Sequence, residues 1–302
     1  MAWLIFAFSG PILWAASTHI DKYLLERYFK NESVAVLMVF TSIIGVVMLP
    51  FIWFYQPTVI ALSLQSMIVI AVSGILYMGA MYFYLQALQS EEASTVAPFF
   101  HATGLFGIIL GYLVLGEALS RGQITGGLFI IAGSIILSLY FGHRKRKIKT
   151  RLVLTMLGCA LALALSSLIF KIFAVQDEFW PTTFWNFVGQ AIFSIILMAV
   201  TANRKHFFNM LRKNTAAVLS VNGVNELINL GGGLGTRYAL LLAPLGIVQA
   251  ISSTTSFFVL LFGVLLTLFF PKLGREELSR TTLLQKSIAI IFIVVGVILI
   301  NK

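Results

Sequence analysis

The sequence predicts an all-α polytopic membrane protein with ten transmembrane helices, arranged as two inverted five-helix repeats. Three observations carry that prediction. Only 11% of the 302 residues are charged and 59% are hydrophobic, whereas soluble domains carry about 25% charged residues. Apolar stretches of about 20 residues, the length at which a helix crosses a bilayer, recur along the whole chain. The second half then repeats marker residues of the first at matching spacing.

The spans fall near 2–20, 34–55, 65–88, 95–115, 123–142, 152–173, 181–202, 216–240, 246–269 and 284–300. The first closes on Ser17, Thr18, His19, Asp21 and Lys22, and the second near Pro50. The third holds Gly74, Tyr77 and Tyr84 and stops at Ser90, Glu91 and Glu92. The fourth carries Pro98, His101 and Gly104, and the fifth opens after Glu117, Ser120 and Arg121. The basic cluster 144–151 divides the chain near its midpoint. The predicted organisation is a five-helix unit at 1–143, a basic cytoplasmic linker at 144–151 and a second five-helix unit at 152–302. About ten residues remain per connection, too few for a separate soluble domain. The single Cys159 excludes an internal disulfide. Met1, Ala2 and Trp3 lack a basic n-region, so the N-terminus reads as the start of the first helix rather than a cleaved signal.

The repeat is visible residue by residue. Ala15, Ser17 and Lys22 match Ala164, Ser166 and Lys171. Gly74 matches Gly223, Glu117 and Ser120 match Glu276 and Ser279, and Gly133 matches Gly296. Five is an odd number, so the second unit enters the membrane in the opposite sense, as in many secondary transporters whose site lies at the repeat interface. The net charge of +10 sits in connections and reads as topology-setting rather than as a nucleic-acid surface. Lys22, Arg27, Lys30, the 144–151 cluster, Arg204, Lys205, Arg212, Lys213, Lys272, Arg275 and Arg280 collect on one side. That side is expected to be cytoplasmic, with both termini outside and the chain in the inner (plasma) membrane.

The run Leu115, Gly116, Glu117, Ala118, Leu119, Ser120 followed by Gln123, Gly126 and Gly133 resembles the closing helix pair of an EamA-type unit. Tyr84 to Ala87, Ala93 to Pro98 and Tyr238 to Gln249 also resemble helices of that family. Two such units form the ten-helix members of the drug/metabolite transporter superfamily. The resemblance implies alternating access around a central cavity formed by helices one, three and four with six, eight and nine. It implies a small-molecule substrate without naming it, because family members carry amino acids, nucleotide sugars, cations, quaternary amines and drugs. The insertion around Phe270, Pro271 and Lys272 and the polar eighth span depart from the generic pattern.

The eighth span gives the sharpest signal. Asn222, Asn225, Glu226 and Asn229 fall at i, i+3, i+4 and i+7, on one face of a helix. An ionisable residue at membrane depth costs about 2.5–3.5 kcal/mol on insertion scales, so it faces the bundle interior and marks function. Its repeat-mate is Tyr77, so the acid is asymmetric between the units. Burial of a carboxyl favours its protonated form, which makes Glu226 a candidate proton carrier. The three asparagines either bind cargo or fasten helices, and the run from Gly231 to Gly235 either packs or hinges. His101 on span four aligns with Ser253 on span nine, where Gln249, Ser252, Ser253 and Ser256 form a polar stripe. Asn186, Gln190 and Ser194 form another on span seven. Trp14, Tyr77 and Trp185 are either aromatic cavity walls suited to a cation or packing residues. His19 and Asp21 read as a solvated structural pair, Arg237 as an outer group that snorkels or meets an anion, and Glu117 as a solvated or capping residue.

No phosphate loop, zinc spacing or catalytic triad is present in the sequence, so neither catalysis, a metal nor a cofactor is expected. The expected function is secondary transport of a small amino-acid-like, amine or other amphipathic solute, with proton coupling through Glu226. A lipid-linked carrier flippase and a membrane-embedded enzyme are the alternatives. The bilayer and protons are the other expected partners.

Overall fold

The computed structural model describes residues 2–27, 34–90, 99, 101–138, 150–176, 178–269 and 280–300. Among the described residues the regular structure is helical throughout. The helices are α1 (Ala2–Arg27), α2 (Val34–Tyr55), α3 (Leu64–Ser90), α4 (Ala102–Leu115), α5 (Arg121–Ser138), α6 (Thr150–Gln176), α7 (Phe179–Ala199), α8 (Thr201–Leu242), α9 (Leu245–Ser252), α10 (Thr255–Phe269) and α11 (Arg280–Ile300). A short 3-10 turn at Pro57–Ile60 joins α2 to α3. The 144–149 part of the basic linker, the motif at 94–98, the acidic pair Glu91 and Glu92, and the stretch 270–279 lie outside the described residues.

Among the described residues, six segments are long and apolar enough to cross a membrane: Trp3–Asp21, Val34–Tyr55, Leu64–Ala87, Thr150–Gln176, Phe179–Ala199 and Leu245–Phe269. Ala102–Leu115, Arg121–Leu137 and Leu284–Ile300 are shorter apolar helices. Side chains are distributed inside out relative to a soluble protein. Phe54, Leu113 and Phe269 are 89%, 70% and 71% exposed, while Asn186, Asn225, Glu226 and Gln249 are buried. Apolar surface on that scale is stable only against lipid.

Two elements differ from the sequence expectation. The basic stretch between spans seven and eight, expected as a connection, is helical. α8 runs for 42 residues, and only Val200, in an extended conformation, separates it from α7. Its early turns are amphipathic: Phe207 and Met210 are buried against Val36, Val39 and Phe40, while Arg204, Lys205 and Arg212 face outward. The Phe40 and Phe207 rings lie 4.7 Å apart. Span nine is interrupted between α9 and α10. There Ser253 and Thr254 turn their hydroxyls onto the Gln249 and Ile251 carbonyls, at 3.4 and 2.7 Å. Such back-bonding competes with the helical ladder.

α1 lies along α8, and α3 lies against both α6 and α7. α4 packs on α9 and α6, α2 on α7, and α11 along α5. The α3–α7 contact is backbone on backbone. A Cβ on Gly74 would sit 2.0 Å from the Asn186 carbonyl oxygen, and one on Gly189 would sit 1.9 Å from that of Ala71. At Gly223, which the sequence pairs with Gly74, an added Cβ would meet nothing within 4 Å. Gly189→Leu is therefore expected to destabilise the protein by at least the ~1–3 kcal/mol typical of overpacking. It should appear as a lower thermal midpoint in detergent, whereas Gly223→Ala should leave the midpoint within a degree or two of the parent.

Candidate functional site

The polar face of α8 turns inward because its other faces suit lipid: Val224 and Leu227 are each 55% exposed, whereas Asn222, Asn225 and Glu226 are buried. At this level α1 and α2 pack beside α8. Glu226 Oε1 accepts a hydrogen bond from the Thr41 hydroxyl of α2 at 3.0 Å. Glu226 Oε2 accepts a longer one from Asn229 Nδ2 at 3.5 Å. Asn225 Nδ2 donates to Asp21 Oδ1 of α1 at 2.6 Å, and the Ser17 hydroxyl donates to Asp21 Oδ2 at 3.3 Å. The Asp21 and Glu226 carboxyls are close enough to interact electrostatically. The carbonyl oxygens of Asn222 and Asn225 have no hydrogen-bond partner among the described residues, and these side chains are 4% and 0% exposed. A buried acceptor left unpaired costs about 1–3 kcal/mol.

The α1–α8 contact that holds this cluster rests on small residues. Gly232 lies against Trp14 and Leu13, and Gly235 against Ser9 and the Phe6 carbonyl. The run from Gly231 to Gly235 thus packs helices, and Trp14 covers it. Asp21 is not a solvated partner of His19. The His19 ring instead donates from Nε2 to the Val259 carbonyl of α10 at 3.0 Å, while Asp21 turns toward α8.

A second polar cluster joins α3, α6, α7 and α8. Asn186 Oδ1 accepts from Arg237 at 2.6 Å and from Gln190 Nε2 at 2.9 Å, and Asn186 Nδ2 donates to Ser73 Oγ at 2.8 Å. The Ser166 hydroxyl donates to the Ser73 carbonyl at 2.8 Å. The Arg237 guanidinium also lies over the Phe170 and Phe187 rings, 5.2 and 4.9 Å from their centroids. Arg237 therefore points into the bundle and neither snorkels nor stands free, because two aromatic faces and an amide replace its water. Tyr77 lies between the clusters, within electrostatic range of both Glu226 and Arg237.

The remaining sequence candidates are placed apart from these two groups. His101 Nε2 hydrogen bonds to the Ser256 hydroxyl at 3.1 Å, and Gln249 Nε2 donates to Ser167 Oγ at 2.7 Å. Ser253 bonds its own helix. Trp185 Nε1 donates to the Val59 carbonyl at 2.7 Å, beside the 3-10 turn.

Glu117 is capping, but not for its own helix. Gly116 adopts a left-handed conformation (φ 65°) that ends α4 and folds Glu117 back over Gly111, whose missing Cβ leaves room for the carboxylate. Glu117 Oε2 accepts from the backbone N–H of Leu245, the first residue of α9, at 2.7 Å. Glu117 Oε1 pairs with Lys171 Nζ of α6 at 2.5 Å, and Lys171 donates to the Ala243 carbonyl, just past the end of α8, at 2.6 Å. One ion pair thus satisfies both sides of the α8–α9 break and ties residues from the two halves of the chain. Sequence reading missed this pair, Asp21 and Thr41. Only the equal spacing of Ser17 to Lys22 and Ser166 to Lys171 hinted that Lys171 belongs to the repeated framework.

No curated protein matches the chain. A crystal structure of another protein shares its fold, with a TM-score of 0.66 and 15% sequence identity over 99% of this chain and 98% of that one. Residues 1–139 match the model of the EamA-like transporter family. Over that stretch, just under half of the chain, the protein is similar to the EamA-like transporter family, and membrane-length apolar helices accompany the match.

Proposed function

We propose that the protein is a secondary transporter that moves a small amino-acid-like, amine or other amphipathic solute across the membrane by alternating access. Its units are 1–143 and 152–302, joined by the basic linker 144–151, and together they form ten membrane helices in two inverted repeats. The packing pattern supports this symmetry. Exchanging the halves turns the α1–α8 contact into the α6–α3 contact, and both are extensive. The same exchange turns the close approach of Gly126 to the Gly296 carbonyl, 2.6 Å from an added Cβ, into that of Gly133 to the Ala289 carbonyl, at 2.8 Å.

A buried carboxyl at the meeting of α1, α2 and α8 carries the functional assignment. Glu226 is 3% exposed, accepts only from neutral donors among the described residues, and stands where the first unit has Tyr77. A charge held there without a cationic partner is costly. The group therefore alternates between a proton and the cationic part of the cargo, and Asn225 and Asn229 orient it. Tyr77 and Asn186 line the path toward Arg237. The basic connections face the cytoplasm, in the inner or plasma membrane. Uptake of amines, amino acids and other metabolites into proteoliposomes tests this reading, and no uptake of any class in a reconstituted, folded preparation would refute it. A reporter fused to the C-terminus should be active outside the cytoplasm; a cytoplasmic signal would reverse the topology.

A further inference from the structure

We infer that the cluster formed by Asp21, Asn222, Asn225 and Glu226 is a site for a primary ammonium group, the head of a compact alkylamine or of a solute that ends in one. The inference deepens the transport reading and rests on it for its biological setting, but its chemistry comes from the balance of donors and acceptors. The cluster is short of donors. The Ser17 and Thr41 hydroxyls are each committed to a carboxyl, and so is the amide nitrogen of Asn225. Asn229 reaches Glu226 only at 3.5 Å. The fully buried side-chain atoms of the cluster that lack a partner among the described residues are both acceptors, the Asn222 and Asn225 carbonyl oxygens, and Asn225 stands against the Asp21 carboxyl. These side chains sit on one helix face and on α1 directly opposite.

A ligand that completes the set must bring positive charge and several N–H bonds in a small volume. A primary ammonium has three such donors. A quaternary ammonium has none, so it would leave both amide oxygens unpaired and add methyl groups where they are needed least. An anion meets two carboxyls. A metal ion needs ligands converging on one point, whereas Asp21 and Glu226 are engaged separately through Asn225 and Thr41, and no group of three metal-type side chains occurs among the described residues.

The test is direct binding to the purified full-length chain in detergent, read by calorimetry and independent of transport. Hexylammonium should bind at least tenfold more tightly than N,N,N-trimethylhexylammonium, and hexanol should not compete. Asp21→Asn and Asn225→Leu should each reduce hexylammonium binding to the level of the trimethyl compound. Equal binding of the two cations, no binding of hexylammonium, or its displacement by sodium or calcium at equal concentration would each overturn the assignment. The comparison of the two cations on the parent protein needs no variant, so a substitution that fails to fold does not remove the test. A tenfold preference in binding without uptake of any amine would uphold the site while refuting the transport reading.

Discussion

Glu226→Gln is expected to lower uptake of a cationic substrate roughly 30-fold or more, because removing one member of a buried charge interaction costs about 2–5 kcal/mol. The amide is isosteric and can still accept from Thr41, so the bundle should fold and the loss should fall on function. The pH dependence carries a separate signature. A protonated Glu226 holds a cation less well, so acidifying the side from which substrate binds should reduce uptake by the parent protein. Uptake by Glu226→Gln should respond far less to the same change. The titratable groups that act on or with it are Asp21 on α1 and Tyr77 on α3, so Asp21→Asn is the necessary companion variant. Unchanged uptake together with an unchanged pH profile in Glu226→Gln would end the proposed mechanism.

Lys171→Met should be the most damaging single change outside that cluster. It strips the cation from Glu117 and the donor from the Ala243 carbonyl at once. Breaking a buried pair by removing one partner costs about 3–5 kcal/mol. With the two side chains 13% and 15% exposed, the lower end of that range is expected. The double variant Glu117→Leu with Lys171→Met should recover part of the loss, with a coupling of about 0.5–3 kcal/mol in a double-mutant cycle of thermal stability in detergent. Additive losses would mean that the pair holds nothing together. The same pair crosses between the halves of the chain, so a transport defect in the double variant despite recovered stability would identify it as part of the moving framework.

Much of this arrangement was legible in the sequence where a residue type contradicted its surroundings. Asn222, Asn225, Glu226 and Asn229 declare a buried face because nothing else explains four polar residues in helical register within an apolar span. Residues that match their surroundings give no such signal. Thr41 is an ordinary member of an apolar helix, and only its contact with Glu226 makes it part of the site. Asp21 stands near a helix end, where charges usually meet water, and only the packing of α1 against α8 half-buries it and turns it to Asn225. Arg237 could not be assigned an environment until Phe170, Phe187 and Asn186, from two other helices, were seen to enclose it. The helical start of α8 was visible in the spacing of Phe207, Met210 and Leu211, but the basic residues around them read more simply as a loop. The break between α9 and α10 was hidden because Ser252, Ser253 and Ser256 fit a polar stripe as readily as an interruption.

The glycine seam between α3 and α7 constrains how such a molecule can move. Most gates in proteins are side chains that swing aside, and their motion is local. At Gly74 and Gly189 there is no side chain to swing, because peptide groups of the two helices touch directly. Opening that seam means peeling two whole helices apart, like lifting one edge of a zip. At Gly223, by contrast, an added Cβ would meet nothing within 4 Å. If the proposed alternation of access opens the α3–α7 seam, a bulky residue wedged at Gly74 would hold it apart.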